Sequence, residues 1–297
     1  MHMRVTNSMT IRSTLRDLSQ GLARMQETNQ RITSGRQNLR PSDDPTMTSV
    51  AMTVRGELRR NEQMTREFDD AKNWIDAADT ALIGTLDGLR TANDLAIQAG
   101  NSGTLQPQAR AAIAQQIRAI RSELLASANS KVAGRSLFNG TAAGDAYDAN
   151  GQYLGDNGSV TRDLAPSLTV TVNSTGPTIF GTNGGSPGTV FDVLDRMATA
   201  VSMGNSADLA AEQTNLGTAT DRVNSALADI GVRGARLDSI KERHEDDRLR
   251  LTTQLSAVED VDIVDALIKS KEQEASYQAS LQVAAKIIPP SLMDFLR

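Results

Sequence analysis

Apolar residues near the start of the chain recur at intervals of four and three. Ile11, Leu15, Leu18, Leu22, Met25 and Ile32, with Asn29 as the one polar member, trace the a and d positions of a coiled coil. The pattern predicts a helix over about residues 9–34, stopped at Ser34-Gly35. The far end repeats the theme. Ile263, Leu267, Ala275, Leu281, Ala285, Ile288, Leu292 and Phe295 fall at helical spacing. Two seams at opposite ends of one chain predict that the termini pair.

Between them lies a longer stripe: Val50, Val54, Leu58, Met64, Phe68, Ile75, Ala78, Leu82, Leu86, Leu89 and Ala96. It predicts a helix from residue 45 to about 100, closed by Gly100-Asn101-Ser102-Gly103. Pro45 suits the first helical position and Asp44 its N-cap. A third helix follows over about 106–130, through Ile113, Ile117, Ile120 and Leu124. The pattern then breaks. Residues 139–188 hold ten glycines and few charges. Leu168, Val170 and Val172 alternate with Thr169 and Thr171, a strand signal. Asp148-Ala149-Asn150-Gly151 and Asp156-Asn157-Gly158 read as turns. Helical spacing returns over about 189–203 and from about 207 onward, with possible interruptions at Gly231, Gly234 and Pro289-Pro290.

The fold class is therefore mainly α: an elongated helical bundle or coiled coil made from both chain ends, with a small β-rich insertion in the middle. The expected division is an N-terminal coiled-coil helix (1–40), a first rod segment (41–138), the insertion (139–188), a returning rod segment (189–255) and a C-terminal coiled-coil helix (256–297). The insertion interrupts flanks that pair with each other. It is expected on the outside and dispensable for the helical fold.

Composition sharpens this picture. Aromatics make up 3% of the 297 residues, which suits aliphatic seams. Residues 1–40 hold seven arginines against Asp17 and Glu27, whereas residues 254–297 hold four basic and seven acidic side chains. Opposite balances on two apolar helices strengthen the expectation of terminal pairing. The net charge of −5 gives no case for nucleic-acid binding. There is no cysteine, so disulfide and thiolate chemistry are excluded. The first 30 residues show no apolar secretory core and no run is long enough to span a membrane, so export without a cleavable signal peptide is the expectation.

Candidate chemistry is thin. His244-Glu245-Asp246-Asp247-Arg248 opens like a zinc-protease helix but has Arg where the second histidine belongs, and reads as a polar helix face. Gly181-Thr182-Asn183-Gly184-Gly185 lacks the lysine of a phosphate loop. Glu259-Asp260-Val261-Asp262 lacks calcium-loop spacing and reads as a helix boundary. Trp74 reads as core. No catalytic, metal-binding or cofactor-binding residue is assigned, and an enzyme is not expected.

A resemblance rests on several short motifs in a fixed order. Ser34-Gly35-Arg36 precedes the turn Pro41-Ser42-Asp43-Asp44-Pro45. Leu95-Ala96-Ile97-Gln98-Ala99 with Asn101 and Gly134-Arg135-Ser136-Leu137-Phe138-Asn139-Gly140 follow. Gln152-Tyr153-Leu154-Gly155-Asp156, Gly234-Ala235-Arg236-Leu237, Glu259-Asp260-Val261-Asp262 and Leu292-Met293-Asp294-Phe295-Leu296 complete the set. Together they resemble the flagellin superfamily and, within it, the hook–filament junction family of third hook-associated proteins. The match covers roughly residues 4–140 and 215–297. Filament flagellins usually carry an Asp-Asp-Ala-Ala-Gly run at the turn, and Asn139 is the flagellin-like exception.

The resemblance implies a structural adaptor of the bacterial flagellum, exported by a type III apparatus and located outside the cell at the hook–filament junction. It implies a ring of copies built through the terminal helices. The implied partners are the chain itself, the first hook-associated protein, flagellin and an export chaperone, with no nucleic acid and no membrane insertion. A filament flagellin subunit and a non-flagellar coiled-coil interaction protein stand as alternatives.

Overall fold

The structure is a computed structural model that describes residues 7–101, 106–165 and 168–287. Within these residues the chain forms α1 (Asn7–Ser34), α2 (Pro45–Asn101), α3 (Pro107–Ala128), β1 (Lys131–Val132), β2 (Arg135–Ser136), β3 (Thr161–Ala165), β4 (Leu168–Thr171), α4 (Gly176–Phe180), α5 (Val190–Met203), α6 (Ser206–Glu259) and α7 (Ile263–Ile287). Both pairs of strands, β1 with β2 and β3 with β4, are antiparallel hairpins. The mainly α class holds. No described helix is long and apolar enough to cross a membrane.

Helix limits follow local chemistry. Pro45 and Pro107 open α2 and α3, where the missing N–H costs nothing. At the start of α5, Thr189 Oγ1 accepts from Asp192 N (3.2 Å) while Asp192 Oδ2 accepts from Thr189 N (2.9 Å), a reciprocal capping box. Gly204, left-handed at φ 73°, closes that helix. Neither Gly231 nor Gly234 interrupts α6. Glycine costs only about 1 kcal/mol in a helix interior, and Gly234 faces Ile75, so a long packed seam carries it. The break falls instead at 260–262; Pro289-Pro290 lies outside the described residues.

Two units share the chain. One consists of the described residues through Arg60 and from Asp247 on; the other is Asn61–Asp246, and the division falls within α2 and α6. In the second unit α6 presents Leu209, Leu216, Val223, Ile230 and Leu237, one every heptad and all buried. They join a core with Ile75, Leu82 and Leu89 of α2, Ile117 and Leu124 of α3, and Leu194 and Met197 of α5. Trp74 is buried there too, with the Arg135 guanidinium 5.9 Å from its ring centre.

The insertion departs from expectation. Phe180 stacks on Phe191 at 5.8 Å and meets Phe138 and Tyr147 edge-on at 5.5 and 5.6 Å. Phe191 belongs to α5, and all four rings are buried. Leu164, Val170 and Ile179 enter the same continuous core as the helical residues. The insertion is thus part of the packing, not an outer appendage. Asp156 braces it: its carboxylate accepts from Thr141 Oγ1 and Thr141 N (both 2.6 Å) and from Gly158 N (2.9 Å). These bonds, led by the Thr141 hydroxyl, hold the Asp156 carboxyl down at about 2.

Candidate assembly surface of the terminal helices

Two stretches far apart in sequence zip together in the first unit. Gly35, at φ 70°, turns the chain out of α1. Its carbonyl accepts from Val261 N (2.9 Å), Gln37 N donates to Glu259 O (2.7 Å), and Arg36 pairs with Asp260 in an antiparallel bridge. Side chains secure each strand of this clasp. Asp43 Oδ2 accepts from Leu39 N (3.2 Å) and Arg40 N (2.9 Å), and Asp44 Oδ1 accepts from Met47 N (2.9 Å) to cap α2. On the opposite strand Asp262 Oδ1 accepts from Val264 N (2.9 Å) and Asp265 N (3.1 Å) to cap α7. The Arg55 guanidinium pairs with Glu259. Of the turn residues, Asp43 and Asp44 therefore work as braces. Pro41, Ser42 and Pro45 supply the turn and the helix start around them.

The clasp sets the register of the terminal helices. Residue 36 faces 260 and α1 runs antiparallel to α7, so Asn29 meets Ser270 (Ser270 Oγ to Asn29 Oδ1, 3.1 Å) and Gly21 meets the Tyr277 ring. The helices pair, but on α1 only Leu18, Met25 and Ile32 of the predicted seam are covered. On α1 the covered positions are Thr14, Leu18, Gly21, Met25, Thr28 and Ile32. These are the predicted d residues joined by their neighbours on the other side, a roll of about 50° from the a/d stripe, since one residue turns a helix by about 100°. On α7 they are Ala266, Ser270, Gln273, Tyr277 and Ala284, mostly small or polar.

A Cβ at position 21 would stand 3.6 Å from Tyr277 Cδ2, an ordinary van der Waals distance, so the ring lies alongside α1 at this position. No ion pair joins α1 to α7 among the described residues. Arg31 pairs with Glu27, Lys269 with Asp265 and Lys271 with Glu274, each inside its own helix.

The remaining seam residues point elsewhere. Leu15, Leu22, Ile263, Leu267 and Leu281 are 37–53% exposed, and Ala285 is exposed. Val264, Ile268 and Val283, exposed as well, widen the apolar strip on α7. The side chain of Ile11 and the whole of Ile288, Leu292 and Phe295 lie outside what is described. Ile263, Leu267 and Leu281, expected to pair with α1, are left 43–49% exposed within one chain. Sequence reasoning missed the α7 contact face because Ala266, Ser270 and Gln273 carry no hydrophobic signal.

His244 also has a different place from the one expected. It is half-buried, with Nε2 2.6 Å from Leu164 O and Nδ1 3.4 Å from Asn61 Nδ2. Asn61 Nδ2 also donates to His244 O (3.2 Å). With the proton on Nε2, the ring donates to β3 and accepts from α2, so it ties elements together rather than lining an open polar face. No group of three or more potential metal ligands gathers among the described residues.

The model of the bacterial flagellin N-terminal helical region matches residues 5–143. Flagellar hook-associated protein 3 of Salmonella typhimurium is 26% identical, covering 99% of this chain and 100% of that protein. Flagellin of Bacillus subtilis is also 26% identical, over 99% of this chain and 100% of its own. Among solved structures, FlgL of Bacillus cereus superposes with a TM-score of 0.61 at 23% identity, covering 69% of this chain and 99% of that one.

Proposed function

We propose that this chain, which belongs to the flagellin superfamily, is a structural adaptor of the bacterial flagellum at the hook–filament junction, and that it works by self-assembly through its terminal helices. The observation that carries the reading is the outward apolar strip. The hairpin covers Leu18, Met25, Ile32 and Tyr277 in part, and leaves Leu15, Leu22, Ile263, Leu267 and Leu281 37–53% exposed and free for other helices. Covering each such side chain contributes about 1.5–3 kcal/mol, so a ring of copies gains what the single hairpin forgoes. The neighbours on either side of that ring are a hook-associated protein and flagellin, with an export chaperone on the C-terminal segment beforehand. The site is outside the cell, reached by type III export.

A filament flagellin is the second reading, favoured by the equal identity to Bacillus flagellin. The turn Pro41-Ser42-Asp43-Asp44-Pro45 argues for the junction. Labelling the tagged protein on purified flagella separates the readings. One focus at the filament base supports the adaptor, label along the filament makes it a flagellin, and absence of label overturns both. On the same flagella, Leu15→Asp with Leu22→Asp should abolish incorporation while leaving the free chain folded. Normal incorporation would overturn the role given to the strip.

A further inference from the structure

Four Asn-Gly pairs lie in the described middle of the chain: Asn139-Gly140, Asn150-Gly151, Asn157-Gly158 and Asn183-Gly184. Such pairs are prone to one reaction because glycine leaves its amide nitrogen open to the preceding side chain. Folding treats the four very differently. Asn139 is buried, its Nδ2 within reach of Ala142 O (3.1 Å), and Gly140 is pressed against Asp156. Asn150 Nδ2 is held by Asp148 Oδ2 (3.3 Å), and Gly151 lies against the Phe191 ring while donating to Asp148 O (3.0 Å). Asn183 is held at both ends, accepting from Tyr153 N (2.9 Å) and donating to Tyr153 O (3.2 Å). Asn157 alone of the four is exposed with a side chain that makes no hydrogen bond, in a stretch without regular structure.

We propose that Asn157 is the site of spontaneous deamidation in the folded protein. The Gly158 amide gives its proton to hydroxide and its nitrogen attacks Cγ of Asn157. The bond from Cγ to the side-chain nitrogen breaks, that nitrogen takes a proton from water and leaves as ammonia, and a five-membered succinimide remains. Water then opens either carbonyl–nitrogen bond of the ring, giving aspartate or isoaspartate. Here the glycine is held and the asparagine side chain is not: Gly158 N donates to Asp156 Oδ1 (2.9 Å), Gly158 O accepts from Asn173 Nδ2 (2.9 Å) and Gly158 lies against Thr141, while Cγ of Asn157 is free to approach the Gly158 nitrogen. The isoaspartyl product carries an extra main-chain carbon between residues 156 and 158. It removes the geometry by which Asp156 binds Gly158 and so loosens the brace across to Thr141.

The test is peptide mapping by mass spectrometry of the full chain aged in mildly alkaline buffer, folded and in concentrated urea, with isoaspartyl methyltransferase labelling of the product. In the folded chain the peptide holding position 157 should convert more than an order of magnitude faster than those holding 139, 150 and 183. In urea all four should convert at comparable rates. Asn157→Gln should remove the fast conversion without changing the melting temperature. Conversion at 150 or 183 as fast as at 157 in the folded chain, or a position 157 that reacts in urea but not when folded, would overturn the proposal.

Discussion

If the insertion shares one core with the helices, a substitution inside it must be felt by helices that it does not belong to. Phe180→Ala is the sharpest such perturbation. The ring is fully buried at the centre of the aromatic cluster, touching Phe138, Tyr147 and Phe191. Removing a buried phenylalanine costs about 3–5 kcal/mol, the lost transfer energy plus the cavity left behind. The three ring contacts, each worth about 0.5–1.5 kcal/mol beyond area, place this case at the upper end.

For a unit of the size of Asn61–Asp246, each kcal/mol moves the midpoint by about 2–4 °C. The predicted fall in Tm is therefore roughly 10–20 °C. The assay is circular dichroism at the helical minimum. Since the insertion contributes almost no helix, a separable insertion would unfold without changing that signal. Leu154→Ala, at a 60% exposed position in the same insertion, is the control, and should change stability by less than about 0.5 kcal/mol. An unshifted helical transition in Phe180→Ala, or an early insertion-only transition visible by tyrosine fluorescence, would refute the shared core.

Three further outcomes follow from the same packing. His244→Ala removes the link to Leu164 O, while Asn61 keeps its bond to the main-chain carbonyl of residue 244; leaving the Leu164 acceptor unpaired costs about 1–3 kcal/mol in a urea melt, and a variant as stable as the parent would remove the histidine from the core's support. For Asp156 the folded-state carboxyl is depressed from the ordinary 3.8 to about 2. Its contribution is therefore complete above the ordinary value and fades as pH falls through the folded one. The melting gap between the parent and Asp156→Asn should be full near neutrality and close between about pH 4 and 2; a gap that persists at the acid end contradicts the assignment. Gly21→Val should split the α1–α7 hairpin by driving branched carbons into Tyr277, read as increased hydrogen exchange on both helices, whereas Gly56→Val, at a position with only an arginine tip nearby, should leave that exchange unchanged.

Long helices announced themselves because many residues repeat one signal. Of the stripe predicted in α2, Val54, Phe68, Ile75, Ala78, Leu82, Leu86, Leu89 and Ala96 are buried, Leu58 and Met64 are half-buried and Val50 is exposed, and the heptad residues of α6 are buried. The clasp was illegible for the opposite reason. It is made by main-chain groups of residues 35–37 and 259–261, and backbone hydrogen bonds leave no trace in side-chain pattern. Both motifs could be seen separately, as a turn and as a helix boundary, without any sign that they meet.

The terminal seams show a subtler limit. Periodicity reports which positions of a helix end up covered, not what covers them. Leu15 and Leu22 belong to the pattern of α1 as fully as Leu18 and Met25 do, yet only the latter two face α7. A helix with a single partner needs one stripe. α1 carries a wider one, and so does α7 with Ile263, Val264, Leu267 and Ile268. The sequence pattern therefore encodes more contacts than one chain can make. The surplus is the surface that the proposed assembly with other copies would cover.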